Sequence, residues 1–376
     1  MRFLQIAIEE VIDTYNGALP LSHFLKSFFK SRPKLGSRDR RAISDAVYSY
    51  FRIAGFVATP KQKIWSIINW ALEHRIIENV PITKIIAQLD PQVIDPDWEH
   101  RFPGIEFSGD LSKANWFKSL LTLPRMFIRI RKNDAVIENI LKGNNINFQK
   151  PAAQTISLAN GINLANILPE THYVIQDYSS QRSLHPYFEL SESKQPQKPI
   201  NVWDTCAGAG GKMLLIKDHL KESNILCTDI RPGSLHNLRE RAQLYGHKQV
   251  KTRLLDASKA EQVDHLKETF DLVLSDVPCT GSGTWARTPE QFYFFETQNI
   301  QKFSTLQYTI ANNACKKVRS GGHYVYITCS VFKAENEMVV AQLLLNNPAL
   351  TLIHQELING IADQADCMFV AVMQAG

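Results

Sequence analysis

The chain has no C-x-x-C pair among its six cysteines, Cys206, Cys227, Cys279, Cys315, Cys329 and Cys367. That argues against a zinc site, and in a reducing compartment all six are expected to be free thiols. No apolar run reaches the ~18 residues that suggest a membrane span. The N-terminal MRFLQIAIEEVIDTYNG is interrupted by Glu9, Glu10 and Asp13, so it reads as an amphipathic helix and not as a secretory signal. Repeats and long low-complexity tracts are also missing. The net charge is small, +5 over 376 residues. It permits nucleic-acid binding without demanding it, and the distribution of charge matters more than its sum. The expectation is a cytosolic globular protein, metal-free and monomeric, long enough for two or three domains.

The first part of the chain reads as helical. Ser37 is placed to cap a helix starting at Arg38, in which Ile43, Ala46, Val47, Tyr50 and Phe51 form one apolar stripe. Arg38, Arg41, Asp45 and Arg52 fall away from that stripe. Lys26, Lys30, Arg32, Lys34, Arg38, Arg40, Arg41 and Arg52 make the neighbourhood basic against Asp39 and Asp45. Such a run is either a solvated face or a phosphate-contacting patch. Residues 125–131, RMFIRIR, alternate apolar and basic side chains, which predicts a strand with one buried and one positive face. A small α+β unit is expected from there to about residue 190. The polar SESKQPQKP, residues 191–199, reads as an exposed linker.

From Ile200 the pattern becomes short apolar runs separated by helical stretches: INVWDTC, NILCTDI, KTRLLD, FDLVLSDVP and HYVYITCS. Helices are expected over Lys212 to Leu220, Ser234 to Tyr245 and Ile300 to Val318. This alternation predicts an α/β fold, a Rossmann-like, doubly wound parallel sheet with helices on both faces. Ligands of such sheets bind at the carboxyl ends of the strands. The domains are expected to run over residues 1–118 (helical), 119–190 (small α+β) and 191–376 (catalytic).

The first of these strands ends in a glycine-rich turn, Asp204-Thr-Cys-Ala-Gly-Ala-Gly-Gly-Lys212. Gly208, Gly210 and Gly211 let the backbone turn tightly and approach a ligand. The loop fits G-x-G-x-x-G poorly. It is not a Walker A loop, because Cys206 stands at the first glycine and Met213 at the magnesium-binding hydroxyl. A nucleoside without a phosphate chain suits it better, although such glycines also serve simple close packing. Asp229 ends the second strand, where an acid commonly accepts ribose hydroxyls. Asp256 and Ala257 end the third and suit an adenine amino group beside an apolar wall. Each acid alone could be a turn or cap residue. Together, after a glycine loop, they describe a site for adenosine carrying an uncharged or cationic tail.

The fourth strand ends in Asp276-Val-Pro-Cys279 and the fifth in Thr328-Cys329-Ser330. Buried cysteines usually sit in mid-element, the role expected for Cys315 and, as packing residues, for Cys206, Cys227 and Cys367. Two thiols at the ligand-binding edge are different. A helix expected soon after Ser330 would raise the thiolate fraction of Cys329. A thiolate adding to carbon 6 of cytosine turns the ring into an enamine whose carbon 5 can attack a methyl sulfonium. A second thiol is suited to help expel the first. Asp276, protonated or sharing a proton, can hydrogen-bond the pyrimidine N3, and Lys212 can assist electrostatically. The base would have to be flipped out of its stack.

DTCAGAGGK, DVPCTGSG and YITCSVFKAENE resemble the RsmB/Fmu (Sun) and Nol1/Nop2 family of RNA cytosine-C5 methyltransferases, and QDYSSQ (residues 176–181) resembles that family's opening segment. The resemblance spans about residues 120–376. It implies S-adenosyl-L-methionine as cofactor, Cys329 as nucleophile and Cys279 as the residue assisting release. Cofactor contacts are implied at Cys206, Ala207, Gly208, Ala209, Gly210, Gly211, Lys212, Asp229, Asp256 and Asp276. The basic segment before residue 60 looks like the NusB-like RNA-binding domain that precedes the catalytic unit in RsmB-type members. That favours small-subunit (16S) ribosomal RNA as partner, with transfer RNA the alternative. The chain departs from the family at Gly208-Ala209, where Ala and Pro are typical, and at TWARTPE after Gly283, where basic residues and His-Pro-Asp are frequent.

Three other readings compete. A DNA cytosine methyltransferase would place its nucleophile in the Pro-Cys element and leave Thr-Cys-Ser without a purpose. An exocyclic-amine methyltransferase would need no cysteine and would usually carry an Asn/Asp-Pro-Pro-aromatic element in place of DVPC. A non-catalytic RNA-binding assembly factor would have no use for both thiols and the acids.

Overall fold

The computed structural model describes residues 2–97, 102–192, 199–247 and 250–376. Residues 193–198 of the expected linker lie outside the described residues. The chain forms two compact units. The first takes Met1–Ile105, Ser112–Leu123 and Thr284–Thr297; the second takes Glu106–Leu111, Pro124–Gly283 and Gln298–Gly376. Among the described residues no helix is long and apolar enough to cross a membrane.

The first unit is helical, built on Arg2–Thr14, Leu21–Lys30, Ser37–Ala54, Ile64–Glu73, Val80–Ile86 and Lys113–Leu121. The stripe Ile43, Ala46, Val47, Tyr50 and Phe51 is fully buried and forms the heart of its core with Ile8, Val11, Ile67 and Ile68. Two local expectations are corrected. Gly36 takes the capping position, Ser37 is already helical, and no side chain caps this end. Arg52 does not face solvent. It is buried and donates to the carbonyls of Leu120 and Ala286 (2.9 Å for the latter), and burial lowers its pKa to about 10. The exposed basic residues of this region are therefore Lys26, Lys30, Lys34, Arg38 and Arg41. The segment after Gly283 also belongs to this unit. Its helix Pro289–Tyr293 packs aromatic side chains on the core, with the Phe292 ring 4.6 Å from that of Phe56.

The second unit holds two sheets. The smaller is antiparallel, with strands β1 (Met126–Ile130), β2 (Phe148–Ala152), β3 (Thr155–Leu158) and β4 (Tyr173–Ile175) in the order β2-β3-β1-β4. The helix Asp134–Gly143 places Ile137 and Leu141 against Ile128, Ile156 and Leu158. The larger sheet is made of β5 (Ile200–Asp204), β6 (Ser223–Asp229), β7 (Lys251–Leu254), β8 (Phe270–Asp276), β9 (Val318–Thr328), β10 (Leu350–Asn359) and β11 (Cys367–Ala375). Its order is β10-β11-β9-β8-β5-β6-β7. The five strands β5 to β9 are parallel, as expected. β10 and β11 add an antiparallel hairpin that the helix–strand alternation did not reveal. The helices Gly211–His219, Pro232–Leu244 and Gln298–Ala314 agree with the sequence reading to within a few residues.

The alternation in RMFIRIR has a different meaning from the one expected. β1 is a strand, but its basic residues do not form an open positive face. Arg129 and Arg131 converge on one carboxylate, Asp218, at 2.5 and 2.7 Å, with both guanidinium groups buried. Arg131 also lies over the Tyr245 ring, 4.6 Å from its centroid. Asp218 belongs to the helix Gly211–His219, so this cluster ties the small sheet to the helical layer of the larger one. Two arginines hold its carboxyl below the usual carboxylate range despite the opposing effect of burial. Asp218→Ala should leave two buried cations without their counter-ion and lower the unfolding free energy by about 3–5 kcal/mol in urea denaturation. A loss below about 1 kcal/mol would show that the cluster does not hold the sheets together.

Candidate active site

Strand register brings the functional residues to one edge. Asp204 ends β5 opposite Leu274 of β8, and Asp276 ends β8 opposite Ile327 of β9. Asp229 ends β6 beside Leu254 of β7. Because these strands are parallel, their carboxyl ends open on the same side, where a ligand of such a sheet binds.

The turn after β5 needs its glycines for two different reasons. Gly208 and Gly210 have φ of 52° and 83°, the left-handed region that side chains disfavour. A Cβ on Gly210 would also stand 2.9 Å from Leu238, so packing forbids it. A Cβ on Gly208 would meet nothing within 4 Å, which leaves space over the turn for a ligand. Asp229 braces the turn by accepting from the Gly208 amide at 2.9 Å, and it also accepts from the Arg231 amide and side chain. Ala207 is buried and Ala209 exposed, with its carbonyl held by Arg241 at 2.9 Å. Burial pushes the Cys206 thiol up to about 12, which keeps it neutral and favours a packing role. Cys227 and Cys367 are buried in the core as well, whereas Cys315 sits in the short 3-10 turn at the end of a helix. Asp256 holds Ser258 through one oxygen in a local turn.

Beneath the turn lies an acid whose role was not read from the sequence. Asp204 is fully buried, and among the described residues its carboxylate has no side-chain hydrogen-bond partner. Burial, then the nearby charge of Asp276, raises its pKa to about 8, while Lys212 opposes the rise. Asp276 is paired with Lys212 and Asp229 with Arg231, which leaves Asp204, among these three acids of the described edge, without a cation of its own. An acid-lined edge with an open glycine turn suits a cationic nucleoside better than a polyphosphate.

The two edge cysteines meet. Cys279 and Cys329 Sγ atoms are 3.2 Å apart and both residues are partly exposed. The hydrogen bond to Cys329 and then burial hold the Cys279 thiol well above its usual range. At the carboxyl end of β8, Lys212 Nζ lies 3.0 Å from Asp276 Oδ2 and 3.0 Å from Ser180 Oγ.

The local structure that brings the thiols together differs from the helix start expected after Ser330. A short 3-10 turn, Lys333–Glu335, comes first, and the α-helix begins only at Glu337. The organising group is Glu335, which sequence reading passed over. Its buried carboxylate accepts from Thr280 N (2.9 Å), Thr280 Oγ1 (2.6 Å), Gln307 Nε2 (2.9 Å) and the Ser330 hydroxyl. Thr280 follows Cys279 and Ser330 follows Cys329, so one acid clasps both cysteine loops. Gly283 closes the arrangement: its amide donates to the Cys329 carbonyl at 2.8 Å, and a Cβ there would lie 2.1 Å from the Cys367 carbonyl oxygen.

A Rossmann-like sheet with an acid-lined glycine turn at its carboxyl edge defines this unit as an S-adenosylmethionine-dependent methyltransferase fold. Residues 193–371 match the family model described as 16S rRNA methyltransferase RsmB/F, so this part of the chain is similar to the methyltransferase domains of the Nol1/Nop2/Sun family. The chain is 24% identical over 325 residues to the probable ribosomal RNA small subunit methyltransferase B of Bacillus subtilis, covering 82% of this chain and 68% of that protein. It is 28% identical over 202 residues to the mouse tRNA (cytosine(72)-C(5))-methyltransferase NSUN6, covering 50% of this chain and 41% of that protein. Among solved structures, PH0851 shares the fold with a TM-score of 0.74 at 19% identity, covering 98% of this chain and 97% of that one.

Two outcomes follow from this geometry. Mild oxidation with diamide should cross-link Cys279 to Cys329, seen by peptide mass mapping and reversed by dithiothreitol; two thiols that alkylate separately and never cross-link would contradict the approach. Asp204, protonated below about pH 8 in the free protein, must ionise to favour a cation. The affinity for S-adenosylmethionine should therefore rise, by up to about tenfold per pH unit, as pH climbs toward 8 and then level off. Calorimetry should find that Asp204→Asn flattens this dependence. An unchanged profile in that variant would remove Asp204 from ligand binding.

Proposed function

We propose that the protein methylates carbon 5 of a cytosine in RNA, with small-subunit ribosomal RNA as substrate and Cys329 as covalent nucleophile. The observation that carries this reading is the pair of thiols 3.2 Å apart at the sheet edge where Asp276, ending β8, pairs with Lys212. Exocyclic-amine methylation gives no use for such a pair. The likeness to the Bacillus subtilis protein over 68% of its length favours ribosomal RNA, and the likeness to the mouse transfer-RNA enzyme keeps transfer RNA as a second reading. We place the activity in the cytoplasm. The exposed Lys26, Lys30, Lys34, Arg38 and Arg41 of the helical unit, read as NusB-like, are assigned to phosphate contact.

The residues to hold the cofactor are the turn Cys206–Lys212 with Asp229, Asp256 and Asp276. When bound, S-adenosylmethionine supplies an electrophilic methyl group on a positively charged sulfur. Cys329 as thiolate adds to carbon 6 of the flipped cytosine, forming a C–S bond and moving the ring electrons toward N3 and carbon 5. Asp276 faces the N3 edge, and the ammonium of Lys212 shares a proton with it, so negative charge arriving at N3 is met by a proton donor. Carbon 5, now enamine-like, would bond to the methyl carbon as the sulfonium–methyl bond breaks, with a neutral thioether as the leaving group. Release then requires loss of the carbon 5 proton to solvent, its bonding electrons restoring the C5–C6 double bond as the C–S bond breaks and sulfur leaves as thiolate, with the N3 proton returning to the Lys212–Asp276 pair. Cys279 keeps its proton and hydrogen-bonds the departing sulfur of Cys329. Glu335 reacts with nothing; it holds the loops so that the second thiol is within reach of the first.

Cys329→Ser should abolish methyl transfer from labelled cofactor to RNA, and unchanged transfer would refute the mechanism. Cys279→Ala should instead accumulate a covalent protein–RNA adduct visible on denaturing gels, whereas normal turnover without adduct would remove its release role. Bisulfite sequencing of ribosomal and transfer RNA from a deletion strain identifies the substrate: loss of a methylated cytosine in transfer RNA alone would overturn the ribosomal assignment.

A further inference from the structure

Lys212 is unusually constrained for a lysine. Its side chain is 7% exposed and its ammonium is placed by two partners, Asp276 and Ser180, both at 3.0 Å. Ser180 is not part of the large sheet. It lies in the short helix Tyr178–Arg182, which leads from β4 of the small sheet toward the larger one. Its hydroxyl oxygen also accepts from Gln176 Nε2 at 3.3 Å. Gln176 Oε1 accepts from Arg129 Nε of β1 at 3.1 Å, and Arg129 pairs with Asp218. Gln181 locks the backbone of this segment by donating to the Gln176 carbonyl at 2.9 Å and accepting from Thr155 Oγ1 at 2.6 Å.

The chain of contacts returns to its origin. Lys212 and Asp218 stand in the first and last turns of one helix, Gly211–His219. Ser180 grips the first and Arg129 with Arg131 grips the last. All the gripping residues come from the small sheet and the segment that leaves it. That helix therefore cannot shift along its axis or rotate without breaking contacts at both ends.

We propose that Ser180 is a positioning residue for the methyl-transfer reaction, fixing the Lys212 ammonium against Asp276, and that the small sheet holds Ser180 for this purpose through Gln176 and Arg129. A lysine side chain has four rotatable carbons and gives up its freedom only when its ammonium is held. Asp276 alone holds one N–H of the three available. Ser180 supplies the second contact, which selects one direction of approach. A proton donor aimed at N3 must be placed to within a fraction of an ångström to act in the transition state. The small sheet thereby becomes part of the active-site frame in addition to any contact it makes with RNA.

The inference rests on the proposed activity, and its test separates the two. Ser180→Ala should lower kcat for RNA methylation by about tenfold or more, the value expected for losing a hydrogen bond to a charged group. The KM for RNA and the Kd for S-adenosylmethionine should stay within about twofold, and Ser180→Thr should restore most of the rate. In a Lys212→Met background Ser180→Ala should cause no further loss, because its only route of action has gone. Additive losses, or a Ser180→Ala rate within about twofold of the wild type, would overturn the proposal. A measurement independent of turnover covers a Lys212 variant that fails to fold. In protein carrying 15N-lysine, the Lys212 ammonium signal should be protected from solvent exchange in the wild type and lost in Ser180→Ala. Persistence of that signal would also overturn the proposal. A wild-type protein that methylates no RNA would sink the activity while leaving this signal to decide the role of Ser180.

Discussion

The buried carboxylate of Glu335 is the constraint on which the catalytic arrangement depends. Two irregular loops, one after β8 and one after β9, would otherwise be free to set their cysteines at any separation. Removing an acid from water is expensive, and burial pushes the pKa of Glu335 up. Donors from Thr280, Gln307 and Ser330 offset that cost; Thr280 and Ser330 draw the two loops to one point, and Gln307 fixes that point to the helix Gln298–Ala314. Tyr326 reinforces the clasp by donating to the Glu335 carbonyl at 2.6 Å. A buried polar group satisfied by several partners tolerates little displacement, so the close approach of the thiols follows from the clasp.

Charge sets the second feature of the site. Three acids stand at the ends of β5, β6 and β8; Lys212 pairs with Asp276 and Arg231 with Asp229, while Asp204 is left without such a partner among the described residues. Asp204 has burial without compensating donors from side chains, a state that costs stability unless something positive arrives. A ligand bearing a sulfonium and an ammonium supplies that charge. The glycine turn superficially invites a phosphate but lacks the features of a phosphate loop. Asp229 spends an oxygen on the Gly208 amide, a donor that a phosphate-binding turn would keep for its ligand.

Much of this was legible in the sequence because strand ends carry both kinds of signal at once. Apolar runs that stop at Asp204, Asp229, Asp276 and Thr328 announce a parallel sheet, and the polar residues after them announce where its ligand sits. The β10–β11 hairpin was not legible, since an antiparallel addition to a parallel sheet leaves no helix between its strands. RMFIRIR misled for a different reason. Alternation reports which side chains share a face, but whether a basic face meets water or a buried carboxylate depends on Asp218, about 90 residues away in sequence. Arg52 misled likewise, because its partners are backbone carbonyls, which carry no residue signature. Glu335 and Ser180 both lie inside segments that the sequence singled out. Their identity as acid and hydroxyl was visible; the atoms they bind were not.

The division of labour between the two sheets follows from where their contacts fall. The large sheet alone defines the edge at which a nucleoside and a pyrimidine can meet, since Asp204, Asp229, Asp276 and both thiols hang from it. It does not by itself orient Lys212, the flexible cation at that edge. That orientation comes from a helix held at one end by Ser180 and at the other by Arg129 and Arg131. Electrostatic stabilisation of charge in a transition state requires that the donor be in place before the charge develops. A lysine held only by a partly exposed aspartate would have to find its position during the reaction. On the proposed mechanism the small sheet removes that search, and Arg129 of β1 with Arg131 just after it serve the reaction through geometry alone.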